Sequence, residues 1–133
     1  MRNMMLKTTF RTGQTLTITG VPTIKASHFA VNIGTDDNNI ALHVNPRFQR
    51  YEDYKRVVFN SCQGGIWGSE IRGGEFPFCR GTEFKIIIKF TGKEFVVSFS
   101  DGSNVVFPNR IGLEEYPFIN VHGDCSITSF NIV

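Results

Sequence analysis

The sequence predicts an all-β protein built from two packed sheets or a barrel. Helix formers are scarce, with three alanines and four leucines against 13 phenylalanines and 13 glycines, and no long stretch repeats its apolar residues every three or four positions. Short alternating segments instead follow one another between turn residues. That many strands in 133 residues need two layers or closure to bury their apolar faces.

In chain order the expected strands cover residues 15–19, 28–33, 39–47, 56–61, 67–72, 83–90, 94–100, 104–107 and 125–133. The first sets Leu16 and Ile18 between threonines, and the second alternates Phe29, Val31 and Ile33 with smaller or polar residues. In 39–47, Ile40, Leu42 and Val44 share one face while Ala41, His43, Asn45 and Arg47 share the other. Val57 and Phe59 oppose Val58 and Asn60 on the next strand, and Ile71 opposes Glu70 and Arg72 after it. Phe84, Ile86, Ile88 and Phe90, then Phe95, Val97 and Phe99, alternate as a sandwich core requires, which argues against a lipid-filled barrel. Gly13, Gly20-Val21-Pro22, residues 34–38, Gly64-Gly65, Thr91-Gly92-Lys93 and Asp101-Gly102 punctuate the strands. Pro46 lacks an N–H, so the strand is expected to end or kink near Arg47.

The length suits one domain spanning residues 1–133. The net charge of +2 comes from 14 basic and 12 acidic residues scattered along the chain, without the basic block that nucleic-acid binding uses. Residues 1–20 interleave Thr, Arg and Lys with apolar residues, so neither a secretory signal nor membrane insertion is expected, and synthesis in the cytosol is. Cys62, Cys79 and Cys125 lack the short spacings of zinc or redox sites and read as free thiols. There is no N-x-S/T acceptor; the chain reads as a protein that recognises glycans rather than one that carries them.

Three neighbouring strands thus offer one polar face around the only tryptophan: His43, Asn45, Arg47, Asn60, Trp67, Glu70 and Arg72. A pyranose with a patch of C–H bonds on one face asks for an aromatic plate ringed by fixed donors and acceptors, and this set supplies both. Taken alone, the polar triplet of 43–47 also fits an ordinary solvated face, and Arg47 with Glu70 fits a surface ion pair worth at most about 1 kcal/mol. In the functional reading the arginine fork fixes the Glu70 carboxylate for hydrogen bonding to a sugar hydroxyl. Trp67 lies between Gly64-Gly65 and Gly68, as a ring at a hairpin that nothing bulky covers. No second histidine or cysteine stands at ligand spacing from His43, and His28 and His122 are distant in sequence, so no metal site and no cofactor is expected. A glycosidase needs two carboxyl groups across a bond, and the face supplies only Glu70, with Glu52 or Asp53 approaching from a loop.

The stretch His43-Val44-Asn45-Pro46-Arg47-Phe48, then Val58-Phe59-Asn60-Ser61, then Gly65-Ile66-Trp67-Gly68-Ser69-Glu70-Ile71-Arg72 resembles the carbohydrate-recognition signature of galectins. Phe76-Pro77-Phe78, Phe107-Pro108-Asn109-Arg110 and Val121-His122-Gly123-Asp124 also resemble galectin segments, so the likeness spans essentially the whole chain. The resemblance implies an antiparallel β-sandwich with jelly-roll topology that binds β-galactosides without metal and is not an enzyme. It further implies that His43, Asn45 and Arg47 take the axial 4-hydroxyl of galactose, Asn60 and Glu70 the 6-hydroxyl, and Trp67 the apolar sugar face. Arg72 and Glu70, with Arg47, would reach the next sugar. Many relatives carry a second histidine where this chain has Tyr51, so Arg50 and Tyr51 are expected either to extend the site toward longer glycans or to narrow it toward another sugar such as mannose.

One stacked ring and a few hydrogen bonds in a shallow groove give an expected Kd of roughly 10 μM to 1 mM. Weak sites gain from duplication. The resemblance implies a homodimer through the first twenty residues and 125–133, crosslinking glycoproteins or glycolipids on cells or microbes, and export from the cytosol by an unconventional route.

Overall fold

The computed structural model describes residues 4–133; residues 1–3, at the start of the expected dimer segment, lie outside it. The chain forms β1 (Met4–Leu6), β2 (Phe10–Arg11), β3 (Thr15–Pro22), β4 (Phe29–Asp36), β5 (Asn39–Arg50), β6 (Asp53–Gln63) and β7 (Ile66–Trp67). It continues with β8 (Ile71–Arg72), β9 (Phe84–Phe90), β10 (Glu94–Phe99), β11 (Asn104–Pro108), β12 (Glu115–Tyr116), β13 (Phe118–Gly123) and β14 (Cys125–Ile132). One large sheet runs β1-β13-β4-β5-β6-β7 with β8 also on β6, a second runs β11-β10-β9-β3-β14, and β12 pairs β2 as a separate two-stranded ribbon. All described pairings are antiparallel, and the two faces close on each other as the expected jelly-roll sandwich.

Phenylalanine fills the space between the sheets. Phe29 of one sheet stacks on Phe84 of the other at 4.8 Å, and Phe90 stacks on Phe95 at 4.6 Å. Phe78, from the 73–83 connection, sets its ring against Phe29, Phe84 and Phe99 at 5.5–5.6 Å in edge-on geometry. Each such buried ring contributes on the order of 1.5–3 kcal/mol of transfer free energy, with edge and stacked contacts adding to it. Cys62 and Cys125 are buried, Cys79 is exposed, and all three are free thiols.

Four details differ from the sequence reading. β5 does not stop at Arg47 but runs to Arg50 and turns through Tyr51-Glu52 into β6, with Arg50 opposite Asp53. Pro46 is accommodated because the Phe29 carbonyl on the neighbouring strand accepts a 2.7 Å hydrogen bond from the Asn45 side chain. Ile40 and Ala41 exchange faces: Ile40 pairs with Cys62 but His43 with Asn60, so β5 holds one extra residue, a bulge that sends Ala41 and Leu42 both into the core and Ile40 to the groove side. The expected 67–72 strand is two short pieces, both on β6, separated by residues 68–70. β1, β2, β12 and β13 went unpredicted. The largest of them, β13, lies between β1 and β4, and its alternation of Ile119, Val121 and Gly123 with Asn120 and His122 is a short one that the sequence reading passed over.

Gly123 ends β13 at φ +107°, and a Cβ there would stand 2.7 Å from the Phe29 Cα and 2.9 Å from the His28 carbonyl oxygen. Both neighbours are backbone and cannot yield. Gly123→Ala is therefore expected to cost at least about 2 kcal/mol and to lower Tm by roughly 5–10 °C, and a calorimetric shift under about 2 °C would refute this.

Candidate functional site

The outward face of β4, β5, β6 and β13, closed at one side by β7, forms a groove of about 580 Å³. Strand alternation and register place its lining. His43 and Asn60 are directly opposed, Asn32 of β4 lies across from His43, and Asn120 of β13 lies across from Asn32, so one row crosses four strands. Asn45, Arg47, Trp67 and Glu70 line the same groove, and Arg50 and Tyr51 lie at its hairpin end. Arg72 stands outside the lining at the rim, joined to the groove through its carboxylate partners. All seven sequence-predicted residues and the two expected extension residues are thus brought to one place.

The hydrogen bonds orient each group. The Asn45 amide nitrogen is committed to the Phe29 carbonyl, which leaves Oδ1 to accept from Arg47 Nε at 2.9 Å. His43 Nδ1 lies 2.6 Å from Asn32 Oδ1, and Asn32 Nδ2 donates to Asn120 Oδ1 at 2.8 Å. Asn32 Oδ1 is an acceptor in this chain, so Nδ1 carries the imidazole proton and Nε2 is left as an acceptor. Burial, then the charges of His122 and Arg47, push the His43 pKa down from 6.5 to about 3, and the ring is neutral at physiological pH.

The arginines are held by a residue the sequence reading considered only as a possible acid. Asp53 receives Arg47 Nη1 at 2.6 Å on one oxygen and Arg72 Nη1 at 2.6 Å on the other, with Arg72 Nη2 at 3.2 Å. Hydrogen bonding from Arg72 chiefly, with Arg47 adding to it against the opposing effect of burial, holds the Asp53 carboxyl below the usual carboxylate range. The expected Arg47–Glu70 pair is replaced: Glu70 accepts from Arg72 at 3.1 Å, and Arg47 turns to Asp53. Lys55, with φ at +50°, interrupts the alternation of β6 and lets Asp53 reach the Arg47 side.

Trp67 is 48% exposed, and its ring lies 4.7 Å from that of His43, tilted by 56°. One face of an indole is therefore presented beside a line of oriented donors and acceptors. At the hairpin end Arg50 lies over the Tyr51 ring at 4.6 Å, donates to its hydroxyl at 2.9 Å and contacts His28 Nε2. His28 and His122, distant in sequence, both line the groove. Asn120 and His122 escaped the sequence reading because their strand, β13, went unpredicted, and Asn32 and His28, on or beside β4, because their place in the groove depends on cross-strand partners distant in sequence, Asn120 for the first and Arg47 for the second. Asp53 was findable, since a two-residue turn at Tyr51-Glu52 sets it opposite Arg50.

The profile of the family described as galactoside-binding lectin matches residues 2–132. A beta-galactoside-binding lectin of Electrophorus electricus is 44% identical over 123 residues, covering 92% of this chain and 91% of that protein. Galectin-1 of Ovis aries is 38% identical over 115 residues, 86% of this chain and 85% of its own length. Among solved structures, galectin-1-L2 of Dario rerio superposes with a TM-score of 0.94 at 44% identity, covering 98% of this chain and 99% of that one. Congerin II liganded with lactose and MES superposes at 0.95 with 30% identity, over 99% of this chain and 100% of the other. The match over nearly the whole chain, together with the fold and the groove, makes this chain a member of the galactoside-binding lectin family, the galectins.

Proposed function

We propose that the groove binds β-galactosides without metal and that the protein crosslinks glycoconjugates as a dimer. The observation that carries this reading is the half-exposed Trp67 ring beside the opposed His43 and Asn60. A galactose laid on Trp67 turns its C–H face to the indole and its axial 4-hydroxyl toward β5. That hydroxyl donates to His43 Nε2 and accepts from the remaining Arg47 Nη2, while Asn60 and Glu70 take the 6-hydroxyl. Arg72 and Glu70, with Arg47, reach the next sugar, glucose or N-acetylglucosamine. An equatorial 4-hydroxyl would leave buried donors unpaired, a loss that discriminates against the epimer. Arg50 and Tyr51, the latter 76% exposed, extend the groove toward longer glycans.

Binding rather than hydrolysis is favoured by the carboxylates themselves. Asp53 and Glu70 share Arg72, and Asp53 is held below the usual carboxylate range, the opposite of what a general acid needs. Congerin II with lactose and the homodimeric chicken-liver agglutinin CG-16, 32% identical with a TM-score of 0.94, share the fold and support the lectin reading. For dimerisation, β1 and β14 are the outer strands of their sheets on the side of the chain ends, and Met5, Phe130 and Val133 are exposed there. Pairing at these edges would cover them.

Titrating lactose should change Trp67 fluorescence saturably with a Kd of roughly 10 μM to 1 mM, and calorimetry on Trp67→Ala should show at least about tenfold weaker binding. Because His43 is already neutral, the affinity at pH 5 should lie within about twofold of that at pH 7. Absence of any response up to tens of millimolar lactose would overturn the galactoside reading. Asp53→Asn keeps the shape but removes the charge and one of the two acceptor oxygens that hold the arginines, and we expect about tenfold weaker lactose binding; unchanged affinity would remove Asp53 from the site. Sedimentation at tens of micromolar should show a dimer, and a monomer alone would defeat the crosslinking role.

A further inference from the structure

Arg110 lies in the connection between β11 and β12, fifty residues from the groove in sequence, and no part of the site described above uses it. Its guanidinium lies 4.6 Å over the ring of Phe107, which is fully buried, and Nη1 donates to Asn60 Oδ1 at 3.3 Å and to Ser61 Oγ at 3.2 Å. The described ion pairs join Arg11 to Glu115, Arg47 to Asp53, and Arg72 to Asp53 and Glu70; Arg110 takes part in none of them. Its charge is directed at a neutral amide oxygen and a hydroxyl.

The segment that carries it is itself held. Asn109 Nδ2 donates to the carbonyls of Gly92 and Leu113, both at 2.8 Å, the Asn109 backbone N–H donates to Lys93, and the Tyr116 hydroxyl donates to Asn109 Oδ1. Arg110 therefore reaches the lectin sheet from a rigid base belonging to the opposite sheet.

We infer that Arg110 is a positioning residue for the sugar groove, acting by fixing the orientation of the Asn60 carboxamide and the loop that follows Trp67. Asn60 Oδ1 accepts from the Ser61 N–H at 2.8 Å as well as from Arg110, and Nδ2 donates to the Gly68 carbonyl at 2.9 Å. This arrangement spends one amide hydrogen on Gly68 and leaves the other for the groove. Rotating the amide by half a turn would set its NH2 against the Ser61 N–H and a guanidinium, two donors facing a donor, and would oppose Oδ1 to the Gly68 carbonyl. Gly68 is part of the same device, since a Cβ there would stand 3.0 Å from Arg110 Nη1 and 3.3 Å from Asn60 Oδ1. The backbone bond from Gly68 N–H to the Ser61 carbonyl, at 2.9 Å, completes the closure of the Trp67 loop onto β6.

The inference rests on the proposed contact of Asn60 with the galactose 6-hydroxyl, and its test separates the two. Lactose and 6′-deoxylactose are compared by calorimetry on the wild-type protein and on Arg110→Met, which keeps a long chain over Phe107 and loses the donors. Wild type should prefer lactose by about tenfold. In Arg110→Met lactose binding should weaken about 3- to 10-fold while 6′-deoxylactose changes less than about twofold, so that the preference collapses. Equal weakening of both sugars, or no change in either, would overturn the positioning role while leaving the galactoside reading intact. A wild-type protein with no preference for lactose would overturn the 6-hydroxyl contact and this role with it. Should Arg110→Met fail to fold, Arg110→Lys keeps the cation without the fork, and the same loss of preference is expected, to a smaller extent.

Discussion

The antiparallel register of β5 on β6 is the constraint on which the rest of the groove depends. It sets His43 opposite Asn60 and Arg50 opposite Asp53, and because side chains alternate with period two it commits Val57 and Phe59 to the core in the same act that turns Val58 and Asn60 outward. A slip of one residue would bury the polar row and expose the phenylalanines. The aromatic core resists such a slip, since Phe59 of β6 is buried against Phe99 of the opposite sheet, ring centroids 6.4 Å apart, and would be turned out of that contact. The bulge at Ala41-Leu42 then absorbs the one place where β5 holds a residue more than its neighbours, upstream of the groove residues.

On that scaffold the polar groups are oriented by one another before any ligand arrives. Asn45 is tied to a carbonyl that Pro46 cannot serve, Arg47 to Asn45 and Asp53, His43 to Asn32 and Asn32 to Asn120. Each bond removes one donor or acceptor from the inventory and so determines which atom is left facing the groove. Burial keeps His43 neutral, whereas the two arginines keep Asp53 charged. The groove thus combines an acceptor imidazole with donor guanidinium groups, the complement of a hydroxyl that both gives and accepts. Preorganisation of this kind lowers the ordering cost that an exposed site pays on binding.

The two sheets are not independent in this respect. Arg110 crosses from the β11 side to Asn60 and Ser61, and the Trp67 loop is closed onto β6 by Gly68. Core packing and groove geometry are therefore linked through a cation lying on Phe107, itself one of the buried rings.

By itself the sequence determined the all-β class, the strand faces around Val44–Arg47 and Val57–Asn60, and the set His43, Asn45, Arg47, Asn60, Trp67, Glu70 and Arg72. These follow from period-two alternation and from motif spacing within thirty residues, which are local properties of the chain. What only the tertiary structure decided is which partner each side chain keeps: Asp53 rather than Glu70 for Arg47, Asn32 and Asn120 behind His43, His28 and His122 in the groove, and Arg110 behind Asn60. The physical reason is that these contacts cross strands from distant parts of the sequence, and their register depends on a bulge, a two-residue turn and the pairing of β4 with β13, none of which is a local property of the chain.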